Sequence, residues 1–521
     1  MRILLLIFLL LAGKTNAQSE QRLHAIVNAY YQIGLFNGNV HITEKGKTIF
    51  MRSYGYADMS AGRKNTAATR FNAYSITKPV TATVLLKLVA EGKLNLHQRL
   101  SSFYPSLPGS DSITIRHLLS HTSGIYNYNN DFSMPVGSEK EMIDWLEEKP
   151  LDFKPGSQFR YSNTGYFLLG FIIEKVTGIS YEAAVRQYVL SPAGMHESGF
   201  DLRTVSDGKK AKGYIYINGK KSEEAPVWDY RELYSAGGMY TTTADLQRFH
   251  RVLQDGKILP DSLMQLSYTA YQKNYGLGWF VDSIAGKKIV SHSGGATGFR
   301  SYLIRDVAND ICIVLLSNSE MSDIVVLRNK LLAELNGQPY DLPKNIKRLQ
   351  QNFYKYEGAY NITNSLTLYL HRAKSMLMAT TNKGRSSVLL PAGKDAMMIE
   401  AIGAYLSFKN DSLIFSQKGE TVTVPRLKAG WGITGSATEN GWGGRDVEMQ
   451  REGKKWIARK VILKKGVIKF RYNNDWVLNY GQSNALYLCK DGKDIKVAPG
   501  TYKIVLDLTD EDKVQLHLLK E

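Results

Sequence analysis

The 521-residue sequence predicts a multidomain chain, an α/β domain whose sheet draws its edges from both ends of residues 18–340, followed by two all-β segments. Three observations carry that reading. Strand-like runs come early, in "FNGNVHITEKGKTIFMRSYGYAD", and return late, at "YGLGWFVD", "KKIVSHSGG", "GFRSYLIRD" and "DICIVLLSN". Between them, from about Leu100 to Arg251, the pattern is mostly helical and broken by glycine and proline. Past Pro343 the texture turns to short alternating runs such as "NSLTLYLHRAKSMLMAT" and "LSFKNDSLIFS", and near Lys428 it shifts again to "GWGITGSATENGWGGRD" followed by further strands.

Taken in order, residues 1–17 read as an export leader: Arg2, an apolar run from Ile3 to Ala12, then small and polar residues with cleavage after Ala17. The run is too short to span a bilayer comfortably, and no cysteine follows it for lipid attachment. The chain is thus expected to be exported, periplasmic or associated with the cell envelope. "SEQRLHAIVNAYYQIG" has helical spacing and leads into a hairpin turning at Lys45, Gly46 and Lys47. "MSDIVVLRNKLLAELNG" closes the first domain as a helix. The expected domains are 18–340, 345–427 and 428–521.

Composition narrows the function classes. Hydrophobic content of 43% and charged content of 22% are those of globular material and exclude a disordered chain. The net charge of +18 is scattered along the sequence, which describes a solvated basic surface that favours anionic envelope polymers rather than a nucleic-acid tract. Cys312 and Cys489 lie far apart, so neither a disulfide framework nor a C-x-x-C metal site is present, and both are expected in the core.

Three short stretches could carry chemistry. In "FNAYSITKPVTATVLLKLV", Ser75 and Lys78 share one face of a helix start. A serine hydroxyl needs a base, and a lysine can serve once burial keeps it neutral, which the apolar run behind it would supply. Pro79 suits a first helical turn, and the N–H groups there can face a developing oxyanion. A second S-x-x-K, Ser206 to Lys209, lacks an apolar run behind it. In "FKPGSQFRYSNTGYFLLG", Tyr161 can relay a proton and Asn163 can orient a lysine and a substrate. In "IVSHSGGATGF", His292, Ser293, Gly294 and Gly295 end a strand whose edge can receive an extended substrate. His117 and His121 stand at i and i+4, but without the glutamate of H-E-x-x-H they do not make a zinc site.

The order S-x-x-K, Y-S-N, H-S-G, with "ITIRHLLSHTSGI", "SAGGMYTTTADLQRF" and "YGLGW", resembles the serine penicillin-recognising family from about Gln21 to Asn336, specifically class C β-lactamases and their DD-peptidase and esterase relatives. The resemblance implies a serine β-lactamase-like domain with an antiparallel sheet and a helical subdomain. It makes Ser75 the acylated nucleophile, Lys78 its proton acceptor, Tyr161 the general base and acid and Asn163 the organiser. The backbone N–H groups of Ser75 and Gly295 become the oxyanion hole, with His292, Ser293 and Gly294 in the third-motif position. Ser206 is then the decoy. Class C enzymes usually carry lysine where this chain has His292. An imidazole there would be partly charged at neutral pH, so anchoring of a substrate carboxylate should be weaker and pH-dependent, and slow acylation is expected over efficient antibiotic destruction.

Residues 354–424 resemble the small β-barrels appended to this hydrolase family. Gly430 to Leu519, with "ITGSATENGWGG" and "DIKVAPGTYKIVLDL", resembles the immunoglobulin-like modules of starch-utilisation outer-membrane binding proteins. In such modules exposed aromatics stack on sugars, so Trp442 and Trp476 are candidates for glycan contact, against the competing reading that Trp476 packs inward. The functional expectation is a serine hydrolase needing no cofactor, acting on a small amide or ester such as a peptidoglycan stem peptide, with DD-carboxypeptidase-like activity first. The alternatives are an esterase or a class C-like β-lactamase, and a carbohydrate-binding envelope protein whose hydrolase domain is vestigial.

Overall fold

Two residues set the first hairpin. Lys45 and Gly46 have φ of 49° and 73°, the left-handed pair that a two-residue turn between twisted strands requires, and they join β1 (Gly38–Glu44) to β2 (Lys47–Tyr54). The computed structural model describes residues 18–128, 138–218, 221–227, 229–343, 356–373, 376–392, 396–483, 487–510 and 513–521, and the expected leader lies outside them. The late strands are β3 (Phe280–Ile284), β4 (Lys287–Ala296), β5 (Phe299–Asp306) and β6 (Ile311–Ser317). They form one antiparallel sheet in the order β3-β4-β5-β6-β1-β2, so the edges come from both ends of the domain as the sequence predicts.

The principal helices are α1 (18–32), α2 (Thr77–Ala90), α3 (Asn163–Thr177), α4 (Thr243–Gln254) and α5 (Ile324–Leu335). Strand β6, "ICIVLLS", is buried at every position, which a sheet covered on both faces demands. Helix α4 lies over β6 and β1, α5 lies over β5, and the Arg22–Glu334 ion pair at 2.6 Å ties α1 to α5.

Helix α2 shows no apolar stripe because it is buried nearly all round, against α3 and the short turn Tyr234–Gly237. Its buried threonine hydroxyls are satisfied, Thr83 Oγ1 donating within the helix to Pro79 O at 2.8 Å and Thr81 Oγ1 across to Ser235 O of that turn at 2.8 Å. Helix α3 opens on an N-cap, Ser162, whose Oγ accepts from Gly165 N at 3.1 Å. The helical region also holds a small sheet of Phe71–Asn72, Met239–Thr241 and Gly199–Phe200, and a hairpin of Tyr214–Ile217 with Ser222–Glu224. Elements this short leave no readable hydrophobic period.

The chain divides into two compact units, 1–341 and 342–521, so the two all-β segments belong to one unit. In the first segment a four-stranded and a five-stranded sheet enclose one core that includes Leu368, Leu377, Met397 and Leu406. A bridge between Tyr360 and Arg426 brings its ends together, as in a small barrel. The second segment is a two-sheet sandwich around Ile433, Ile468, Phe470 and Ile504, and Ala359 and Tyr369 of the first segment join that core. Cys312 is buried, whereas Cys489 is only partly so, which corrects the expectation that both are core residues.

Candidate active site

Ser75 sits in a single 3-10 turn, Tyr74–Ile76, directly ahead of α2. Tyr74 has φ of 46°, a left-handed backbone costly for a bulky residue, and its hydroxyl donates to Thr297 O at 3.2 Å. The turn leaves Ser75 partly exposed while Lys78 is fully buried. Lys78 Nζ lies 3.1 Å from Ser75 Oγ, 2.8 Å from Asn163 Oδ1 and 2.7 Å from Ala236 O. The two carbonyl oxygens can only accept, so they take two N–H groups. In the neutral amine the remaining position is a lone pair directed at the serine hydroxyl.

Burial favours that neutral form, holding the Lys78 pKa well below the ordinary lysine value. The faces of Tyr161 and Tyr166, 4.7 and 5.4 Å from Nζ, oppose it by favouring an ammonium, a contact worth on the order of 1–2 kcal/mol. Burial is the larger effect.

Asn163 opens α3, and its Nδ2 donates to the Tyr128 hydroxyl at 3.1 Å. Its backbone N–H donates to Asn127 Oδ1 at 3.2 Å, and Asn127 Nδ2 donates to Tyr161 O at 3.2 Å. Thus the "YSN" stretch is braced from both sides. Burial raises the Tyr161 pKa, with the neighbouring Ser75 hydroxyl opposing it, so the phenol is protonated at neutral pH. In that state it can donate a proton.

Strand β4 runs beside the serine turn. A Cβ built on Gly294 would lie 2.1 Å from Ala73 O and 3.0 Å from Ser75 N, so only glycine permits this approach. Gly295 is exposed and Ser293 partly so, while His292 is buried. His292 Nδ1 lies 2.7 Å from Ser293 O, which can only accept, so Nδ1 carries the proton. Its Nε2 then accepts from the Tyr275 hydroxyl at 3.1 Å. Burial first, and the nearby Lys78 second, lower its pKa to about 3. The expected partly charged imidazole is therefore corrected: His292 is neutral at pH 7 and offers no cation to a substrate carboxylate.

Several contributors were not assigned roles from sequence. Ala236 acts through a backbone carbonyl, which leaves no side-chain signal. Tyr275, within "YGLGW", donates its hydroxyl to the free Nε2 of His292. His121, with φ of 57°, has its ring centroid 4.3 Å from that of Tyr161 and 4.6 Å from that of Tyr275, both tilted contacts, and its Nδ1 accepts from Ser162 N at 3.1 Å. His117 closes a capping box with Thr114 instead of meeting His121 at a metal. Among the described residues no group of three or more His, Cys, Asp or Glu is placed to hold a metal ion. Ser206 is exposed and Lys209 pairs with Glu197 at 3.4 Å, an ordinary surface arrangement. Beside the serine turn a cavity of about 360 Å³ has apolar walls from Tyr74, Pro226, Leu233 and Phe299, with Arg203 and Lys212 among its polar lining. A reactive hydroxyl, a buried amine, a protonated phenol and a strand edge beside an open cavity can together support acyl transfer.

The Beta-lactamase family profile matches residues 23–336, more than half of the sequence. The chain belongs to the Beta-lactamase family and is a serine hydrolase of the β-lactamase-related class. It is 29% identical over 406 residues to penicillin-binding protein 4* of Bacillus subtilis (strain 168), covering 72% of this chain and 90% of that protein. The structure of the octameric penicillin-binding protein homologue from Pyrococcus abyssi shares the fold, with a TM-score of 0.59, 24% identity and coverage of 77% of this chain and 99% of that one. A class C β-lactamase structure matches with a TM-score of 0.55 and 25% identity, covering 62% and 98% of the two chains.

Proposed function

We propose that the protein is an exported acyl-enzyme hydrolase with DD-carboxypeptidase-like activity on small amide substrates. One observation carries this reading: a buried amine, with two carbonyl acceptors beside it, stands 3.1 Å from the hydroxyl of Ser75. In the proposed cycle Ser75 Oγ bonds to the substrate carbonyl carbon as its proton passes to Lys78 Nζ. The oxyanion is held by the N–H groups of Ser75 and Gly295. Collapse breaks the bond to the leaving amine, which takes a proton from the Tyr161 hydroxyl, and Lys78 returns a proton to Tyr161. Water then attacks the acyl group, its proton passing through the same groups, and the acid departs as Ser75 regains its hydrogen. Asn163 keeps the amine aimed, and His292 and Ser293 shape the edge along which substrate lies.

Similarity to penicillin-binding proteins supports the peptidase reading, with a peptidoglycan stem peptide as substrate. An esterase is the second reading, favoured by the neutral His292, because an ester need not present a carboxylate. A β-lactamase would use the same residues. The leader-like residues 1–17 support a periplasmic or envelope location. Glycan contact through the last segment is supported by Trp442 and Trp476, which are 36% and 43% exposed with ring centroids 5.9 Å apart, so inward packing does not describe them.

The test is labelling by a fluorescent penicillin or a fluorophosphonate in the wild type and in Ser75→Ala. Label confined to the wild type supports the hydrolase. Equal labelling of both, or of neither, favours a carbohydrate-binding protein with a vestigial hydrolase domain. Comparing D-alanine release from a stem peptide with hydrolysis of a chromogenic cephalosporin and of a short-chain aryl ester separates the enzyme readings.

A further inference from the structure

Within residues 342–521 lies a second cavity, of about 100 Å³, that the hydrolase chemistry does not use. Its walls include Trp431, Trp456, Tyr472 and Tyr480. Trp431 meets Tyr480 at 4.9 Å and Tyr472 at 5.5 Å, and Trp456 stands edge-on to Tyr472 at 6.3 Å. Trp431 is buried while Trp456, Tyr472 and Tyr480 are partly exposed, so the aromatic faces line a recess that opens to solvent. The lining is also charged in one sense. Arg372, Arg451, Lys454 and Lys490 face it with a single carboxylate, Glu357. Arg372 Nε and Arg451 Nη2 share that carboxylate at 2.9 and 3.1 Å, and neither Lys454 nor Lys490 forms an ion pair among the described residues. A site with flat apolar walls and uncompensated cations selects a ligand that is flat on one face and anionic at its edge.

We propose that this cavity binds a small carboxylate carried on a flat ring, its ring against the tryptophan and tyrosine faces and its carboxylate toward Arg451 and Lys454. The ring face is either the C–H face of a sugar acid or an aromatic ring, and the charge complementarity is common to both.

Isothermal titration calorimetry on the full chain tests it with D-glucuronate and phenylacetate, against methyl glucoside and benzyl alcohol as uncharged counterparts. One anion is expected to bind saturably, about tenfold or more tighter than its uncharged counterpart, and less tightly as salt rises. Saturation by glucuronate assigns the sugar acid, and saturation by phenylacetate the aromatic acid. Arg451→Gln and Lys454→Gln change exposed residues and are each expected to weaken binding several-fold, with near-ultraviolet circular dichroism unchanged. Trp456→Ala is expected to abolish it. The proposal is overturned if neither anion saturates up to about 10 mM, if the uncharged counterparts bind equally well, or if both charge variants bind like the wild type.

Discussion

Gly294→Ala adds one methyl group behind the nucleophile and changes no reacting atom. That carbon would lie 2.1 Å from Ala73 O, 2.4 Å from Ser301 Oγ and 3.0 Å from Ser75 N, where ordinary contact begins near 3.4 Å. The first clash is with backbone and cannot be relieved by a rotamer change. The second falls on a hydroxyl that donates to Ala73 O at 2.7 Å. Strand β4 and the serine turn must therefore separate by roughly 1 Å, a misplacement that costs on the order of 10²-fold in rate when it moves reacting groups. Overpacking of this kind destabilises by about 1–3 kcal/mol. Because Lys78 lies in α2, directly after the turn that carries Ser75, the loss should fall on the strand side of the site, including the Gly295 N–H, and leave the base in place. The assay is the time course of fluorophosphonate labelling together with a thermal melt. A labelling rate and melting midpoint both equal to those of the wild type would refute the claim that β4 positions the serine turn.

Three further outcomes are expected. Asn163→Asp places a carboxylate where an amide oxygen now lies 2.8 Å from Lys78 Nζ, which stabilises the ammonium, so the acid limb of the acylation rate should move to higher pH by about one unit or more; a pH profile that does not move would remove Asn163 from the environment of the base. Tyr275→Phe leaves His292 Nε2 buried without its donor and should cost about 1–3 kcal/mol in urea unfolding, against no change if that contact is incidental. Folded-state pKa values of about 3 for His292 and about 4 for His41 lie below the unfolded value, so the unfolded chain binds more protons between roughly pH 6.5 and 3. Stability should thus be full above pH 6.5 and fall as pH drops through that window, and a urea midpoint at pH 4.5 equal to that at pH 7 would contradict the buried neutral imidazoles.

The parts of the molecule legible in the sequence are those set by short-range chemistry. Ser75 and Lys78 are one helical turn apart, the Lys45–Gly46 turn is encoded in two residues, and the closing helix has its own period. The state of His292 could not be read locally, because it depends on burial beneath Tyr275, which is seventeen positions away in sequence. The second acceptor on Lys78 is the carbonyl of Ala236, a residue whose side chain carries no chemistry. The two readings of Trp476 could not be separated locally for a related reason: a strand tryptophan usually faces inward, but in "DWVLNYGQ" the buried positions are Leu478, Asn479 and Gly481, and the indole lies near the strand end, outside them.

The most direct test of the account is to map the fluorophosphonate adduct by proteolysis and mass spectrometry in the wild type and in Lys78→Met, which keeps the buried length and removes the amine. The account predicts one modified residue, Ser75, and labelling at least about 10²-fold slower in Lys78→Met. An adduct on another residue, or equal rates in the two proteins, would contradict the assignment of the buried amine as the base that activates Ser75.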